Sequence, residues 1–222
     1  MSASVRVKIC GVQQPADALA AVEAGADFVG MVFVPERRRR LDTASAQAVA
    51  SALRELARGS TPVVGLFADQ PVGEVNRVVR DCGLDMVQLC GLETPEYCSQ
   101  VEVLVIKVLH ISPAWEVEYA VAKLAEQMSA LSELKHWVTL DRRVEGLQGG
   151  TGEAFNWDIA RRLSSQGHSF LLAGGLSPDN VADAVRTARP WGVDVSSGVE
   201  TKGYKDPCKI AAFIAAARVA AG

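Results

Sequence analysis

Histidine is scarce in this sequence, with 3 in all, and the five cysteines include no C-x-x-C pair. An odd cysteine count without regular spacing excludes a disulfide framework. Cys10, Cys82, Cys90, Cys98 and Cys208 therefore read as free thiols of a reducing compartment. No apolar run approaches the ~18 residues that cross a bilayer. Phe28 to Pro35 and Ile210 to Ala217 are among the longest. No apolar h-region or cleavage site precedes the first strand-like segment, so the expected location is cytoplasmic, away from membranes. Neither sign of charge dominates, since 23 Lys plus Arg face 26 Asp plus Glu for a net charge of −3. That balance supplies no basic face for nucleic acid and no acidic tail. Linkers and low-complexity stretches are missing too. What is abundant is apolar side chain, at 49%. Such a composition provides a core and excludes a disordered chain.

Strand-like and helix-like segments alternate from end to end. The apolar runs are Val5 to Cys10, Asp27 to Val34, Pro62 to Phe67, Asp85 to Leu89, Val103 to Val108, Trp137 to Leu140, Phe170 to Ala173 and Val193 to Val195. Between and after them, helical spacing runs from Pro15 to Ala24, Thr43 to Arg58, Val72 to Cys82, from Pro95, Ala114 to Leu131, Trp157 to Ser164, Pro178 to Thr187 and Pro207 to Ala220. Short runs that are apolar throughout, rather than alternating, suit a parallel sheet covered on both faces. Sharing 222 residues among eight units leaves ~28 for each, close to the minimum for one strand, one helix and two loops. A doubly wound open sheet is the rival. Cys10-Gly11-Val12-Gln13 is not the G-x-G-x-x-G expected after its first strand. The reading is an α/β protein, one (β/α)8 TIM barrel forming a single domain over residues 1–222.

In that fold the chemistry gathers at the C-terminal ends of the strands. Cys10 ends the first run. It reads either as a small buried hydrophobe or as a base, because Lys8 shares its side of the strand and an ammonium lowers a thiol pKa. Asp141 ends the sixth run, as a turn residue or as an acid facing that thiol. Three glycine-bearing segments follow the last strands: Gln148 to Gly152, Ala173 to Pro178 and Val195 to Glu200. Ser177 is placed to cap a helix with Pro178 at its first position, and Ser197-x-x-Glu200 has capping-box spacing. Exposed N–H groups there suit a phosphate, at the place where this fold often holds one. Arg37 to Arg40 are the only charge run. They read as a solvated face or, at the same rim, as the source of a bidentate contact to a carboxylate. His110 ends strand five, while His136 and His168 precede their strands and belong to the other rim, so no metal site is expected.

Val7-Lys8-Ile9-Cys10-Gly11, Gly65-Leu66-Phe67, Val87-Gln88-Leu89, Leu140-Asp141 with Gly149-Gly150-Thr151-Gly152, Leu172-Ala173-Gly174-Gly175-Leu176 and Asp194-Val195-Ser196-Ser197-Gly198-Val199-Glu200 occur in that order. Over nearly its whole length the chain resembles the phosphoribosylanthranilate isomerases of tryptophan biosynthesis. The resemblance implies an Amadori rearrangement of N-(5′-phosphoribosyl)anthranilate without metal or cofactor. It implies Asp141 as general acid and Cys10 as general base. Arg39 is the implied contact to the anthranilate carboxylate, with Arg38 and Arg40 as neighbouring registers. Gly174, Gly175, Ser197 and Gly198 are the implied phosphate site. The expected partner is a small phosphosugar, and the expected state a monomer or homodimer. Two positions depart from the family pattern. Cys90 stands where a His is usual, and Arg142 follows Asp141 where Ser or Thr is more common. Arg142 is expected to lower the pKa of Asp141 and make it a poorer acid.

Competing phosphosugar barrels fit less well. An epimerase needs His and Asp metal ligands at strand ends, and a histidine-pathway isomerase has Asp where this chain has Cys10. Outside the enzymes, a phosphate-ligand binder has no use for keeping both Cys10 and Asp141. A nucleic-acid binder needs aromatic residues beside the arginine run.

Overall fold

The computed structural model describes residues 4–56, 61–142 and 157–222. Eight parallel strands close into a barrel in simple sequence order, so that β1 pairs with both β2 and β8. They are β1 (Arg6–Cys10), β2 (Phe28–Val32), β3 (Val63–Phe67), β4 (Met86–Leu89), β5 (Leu104–Ile111), β6 (Trp137–Arg142), β7 (Leu171–Leu172) and β8 (Gly192–Val195). The helices are α1 (Pro15–Glu23), α2 (Thr43–Leu56), α3 (Val72–Cys82), α4 (Pro95–Cys98), α5 (Val117–Glu133), α6 (Trp157–Ser165), α7 (Val181–Ala188) and α8 (Pro207–Ala221). The fold is the TIM barrel that the strand count predicts. No described helix is long and apolar enough to cross a membrane.

Alternation along each strand builds two separate cores. Outward residues such as Val7, Ile9, Val29, Met31, Leu140 and Leu172 join the helices in the large shell core. Inward residues, including Cys10, Phe28, Val32, Val64, Leu66, Met86, Ile106 and Leu171, fill the barrel. Its lower end is plugged by aromatic rings, with Trp137 packed edge-on against Phe28 and Trp191. His136 and His168 lie at this end, beside a separate cavity of about 310 Å³. At Gly30 even a methyl group would press on Cys10 Sγ at 3.0 Å.

Local chemistry sets most helix ends. Pro15 opens α1 behind a reciprocal Gln14–Asp17 box. The Asp206 carboxylate accepts from the Cys208 and Lys209 N–H groups at the start of α8. Gly83 ends α3 in the left-handed region, at φ 60°.

Several boundaries differ from the sequence reading. α7 begins at Val181, so Ser177 is not its cap and Pro178 is not its first residue. The Asn180 carboxamide folds back to accept from the Ser177 N–H at 2.8 Å, and this holds 177–180 as a turn ahead of the helix. Ser112 plays the same part before α5, where its hydroxyl takes the Ala114 N–H and its carbonyl the Trp115 N–H. β5 extends to Ile111 because β6 pairs with it as far as Arg142. β7 is only Leu171–Leu172. Arg58, the expected end of α2, lies outside the described residues.

Candidate active site

At the C-terminal ends of the strands a cavity of about 1000 Å³ opens, and Cys10, Arg39, Asp141, Gly174, Gly175, Ser197 and Gly198 all line it. These seven candidates thus share one mouth. The glycine loop 148–152 and residues 143–147 lie outside the described residues.

The floor is polar. Lys8 Nζ donates to Asp194 Oδ2 at 2.9 Å, and both groups are buried. Burial opposes a charged lysine, but Asp194 and then Cys10 outweigh it, and the Lys8 pKa ends above its ordinary value. One strand repeat above Lys8 sits Cys10. Its thiol is pushed up by burial more than Lys8 and Lys205 pull it down. This corrects the expectation that Lys8 would bring the thiol toward neutrality: Lys8 does pull it down, but burial outweighs that pull and Asp194 adds to the rise. Cys90 also lines the mouth, and its thiol is pushed up by burial to about 12.

Asp141 pairs in register with His110 on the adjacent strand, and both side chains reach the mouth. Burial lifts the Asp141 carboxyl to about 6. His110 pulls it down, Asp194 pushes it up, and Arg142 contributes through its backbone N–H. Arg142 pulls in the expected downward direction, through its backbone N–H, but desolvation wins, so the expected poorer acid is not found and Asp141 is a better proton donor near neutrality than an exposed carboxyl. His110 Nε2 lies 3.0 Å from the Cys90 carbonyl oxygen. A carbonyl only accepts, so the ring proton belongs on Nε2.

Four polar atoms inside the barrel have no protein partner among the described residues: Gln88 Oε1, His110 Nδ1, Thr139 Oγ1 and Asp194 Oδ1. Gln88 Oε1 and Asp194 Oδ1 only accept hydrogen bonds, and Thr139 Oγ1 accepts as well as donates. Buried acceptors of this kind call for donors, and the hydroxyls of a sugar are donors.

The two phosphate-type loops interlock. A Cβ on Gly198 would lie 1.9 Å from the Leu176 carbonyl oxygen, so the loop after β8 rests directly on the loop after β7. Gly174 and Gly175 have φ of 92° and 71°. Among the described residues nothing accepts from either N–H. Gly174 also adjoins the acid, since a Cβ there would meet Asp141 Oδ1 at 3.0 Å.

Of the arginine run, Arg37 and Arg39 reach the mouth. Arg38 turns instead to Gly203 O and Glu200, and Arg40 is exposed. The capping box read into Ser197 and Glu200 does not form, because the 3₁₀ turn Ser197–Val199 has no side-chain cap. The Glu200 carboxylate is taken by Arg39, Arg38 and Lys205. Sequence reasoning left Asp194 and Glu200 without a site role. A signal for Asp194 was present, because an acid inside an apolar strand run must find a buried partner.

Comparison with known proteins agrees with this geometry. The family model for N-(5'phosphoribosyl)anthranilate (PRA) isomerase matches residues 7–216. A protein of that name from Dehalococcoides mccartyi is 41% identical over 95% of this chain and 94% of its own length. The crystal structure of phosphoribosyl anthranilate isomerase from Thermotoga maritima superposes with a TM-score of 0.82 at 34% identity, covering 97% of this chain and 99% of that one. Another structure of this isomerase, in complex with reduced 1-(o-carboxyphenylamino)-1-deoxyribulose 5-phosphate, gives 0.78 at 32% identity, with 97% and 99% covered. With the barrel, the shared mouth and these matches in agreement, the chain belongs to the N-(5'-phosphoribosyl)anthranilate isomerase family and is an isomerase of tryptophan biosynthesis.

Proposed function

We propose that this enzyme converts N-(5′-phosphoribosyl)anthranilate to 1-(2-carboxyphenylamino)-1-deoxyribulose 5-phosphate, with Asp141 as general acid and Cys10 as general base. The observation that carries the reading is the pairing at one mouth of a carboxyl lifted to about 6 and a thiol above an ion pair. Asp141 gives its proton to the ribose ring oxygen, the C1′–O bond breaks, and an iminium forms at C1′. The Cys10 thiolate takes the proton from C2′, and its electron pair forms the C1′=C2′ bond of an enolamine. Transfer of a proton to C1′ and loss of the O2′ proton leave the ketone. Atoms and electrons balance without a cofactor, as an isomerisation requires.

The substrate carries an anion at each end. Gly174, Gly175, Ser197 and Gly198 hold the phosphate through backbone N–H groups. Arg39 holds the anthranilate carboxylate. The unpartnered acceptors on the barrel floor receive the ribose hydroxyls between them. The test is a fluorescence assay with freshly generated substrate, following the loss of anthranilate-type emission for the wild type, Cys10→Ser and Asp141→Asn. Rapid loss for the wild type and near-abolition in both variants is expected, since one acid or base contributes roughly 10²–10⁴-fold. Turnover that survives both substitutions would move the acid and base elsewhere.

A further inference from the structure

Glu200 is the first residue of a small hairpin, β9 (Glu200–Thr201) and β10 (Tyr204–Lys205), that follows the loop after β8. Its side chain is 6% exposed, yet three cations meet it. Oε1 accepts from Arg39 Nε at 2.5 Å and Lys205 Nζ at 3.2 Å, and Oε2 accepts from Arg38 Nη2 at 2.6 Å and Arg39 Nη2 at 3.0 Å. Lys205 Nζ also donates to the Ser196 carbonyl at 2.8 Å, and Lys209 Nζ to the Glu200 carbonyl at 2.8 Å. The stem of Arg39 lies over Gly11, where a Cβ would come within 2.5 Å of Arg39 Cδ. The guanidinium is therefore fixed at both ends of its side chain.

A guanidinium offers two edges to a planar anion, one through Nε and one Nη, the other through both Nη atoms. Glu200 occupies the first edge of Arg39. Among the described residues nothing accepts from Nη1, and Arg39 lines the mouth. We propose that Glu200 is a positioning residue for substrate, one that holds the Nε edge of Arg39 so that the Nη1–Nη2 edge faces the substrate carboxylate. An unrestrained arginine loses considerable rotamer freedom when it binds. Here that cost is met during folding, and a ligand finds the fork already oriented. This inference rests on the reading of Arg39 as the carboxylate contact.

Charge alone predicts the opposite result, which makes the idea testable. Removing the carboxylate leaves the mouth more positive, and long-range attraction would then tighten every anion. Positioning predicts a loss confined to the carboxylate end. For Glu200→Gln the expected result is a KM for phosphoribosylanthranilate raised about ten-fold, the effect of one misaligned charge-assisted contact. kcat should stay within about two-fold, because the acid and base are untouched. Inhibition by inorganic phosphate should stay unchanged or tighten. Glu200→Asp should recover part of the loss, and Glu200→Gln should add nothing to Arg39→Ala, as coupled residues do. If Glu200→Gln does not fold with Lys205 left buried, Glu200→Gln with Lys205→Met removes both charges and carries the same expectations. A raised KM in Arg39→Ala beside an unchanged KM in Glu200→Gln would overturn the role of Glu200 alone. An unchanged KM in Arg39→Ala would remove the reading of Arg39 and the inference with it.

Discussion

Lys8 and Asp194 form an ion pair inside the barrel, 2.9 Å apart, with the lysine fully buried and its partner 7% exposed. They face one another in the β1–β8 register, with Cys10 two residues further along β1. Neither charge tolerates loss of the other. Asp194→Asn is expected to cost about 3–5 kcal/mol, because a buried ammonium is left without its counter-ion. Lys8→Met together with Asp194→Asn should cost less than Asp194→Asn alone. Urea unfolding of the variants measures this, and a cost under about 1 kcal/mol for Asp194→Asn would show that the pair does not depend on charge.

Asp141 is held protonated by burial, up to about 6 against an ordinary 3.8. For an acid with a raised folded pKa, the native state binds more protons than the unfolded chain between those two values. Stability therefore falls as pH rises through that window and stays lower above it. The roughly two-unit difference corresponds to about 3 kcal/mol at pH 8. Asp141→Asn should thus abolish turnover and yet be more stable than the wild type at pH 8, with little gain at pH 4. Thermal melts at the two pH values decide it, and a variant equally or less stable at pH 8 would mean that the carboxyl is not strained there.

As the proposed base and acid, Cys10 and Asp141 act in opposite forms, thiolate and carboxylic acid, although both burial effects favour the neutral forms. Only a minority of molecules then carries the working combination at neutral pH. The kcat/KM profile should be flat between the two titrations, falling on the acid side near 6 and on the alkaline side with the thiol. Iodoacetamide at pH 7.5 should reach the exposed Cys208 well before the buried Cys10. Labelling of Cys208 should leave activity intact. Inactivation in step with the first equivalent of label would indicate a reactive, low-pKa Cys10 instead.

The barrel was legible because it is written in repetition: short apolar runs separated by helical spacing, ending in Cys10, Asp141 and the late glycines. That Cys10, Asp141 and the late glycines come together at one mouth was legible for the same reason. What escaped depends on contacts between residues distant in sequence. Lys8 pulls the Cys10 pKa down as its place on the strand suggests, but burial inside the closed barrel and Asp194, 186 residues from Lys8, carry the thiol up. Glu200 has the spacing of a helix cap, and only the folded chain shows that Arg39, brought across from the loop after β2, claims its carboxylate. Asn180 shows a local limit. Its side chain folds back to accept from the Ser177 N–H and closes a turn where helix was expected, and propensity does not say which of the two local structures will prevail.

Gly198 and Gly175 separate two reasons for glycine in the proposed phosphate site. At Gly198 a methyl group would lie 1.9 Å from the Leu176 carbonyl oxygen and 3.1 Å from Ser177 Cα. These are backbone atoms that cannot swing aside, so Gly198→Ala must push the loop after β8 off the loop after β7. At Gly175 nothing lies within 4 Å, and the only cost is its φ of 71°, about 1–2 kcal/mol for an alanine. Both variants should therefore lose comparable stability, about 1–3 kcal/mol, since overpacking falls in the same range. Only Gly198→Ala should lose phosphate affinity, by about ten-fold or more, because it alone displaces the N–H groups proposed to hold the anion. Melting temperatures with inorganic phosphate as competitive inhibitor give both numbers for each variant. Equal losses of phosphate affinity would mean that loop spacing is not what the two glycines protect.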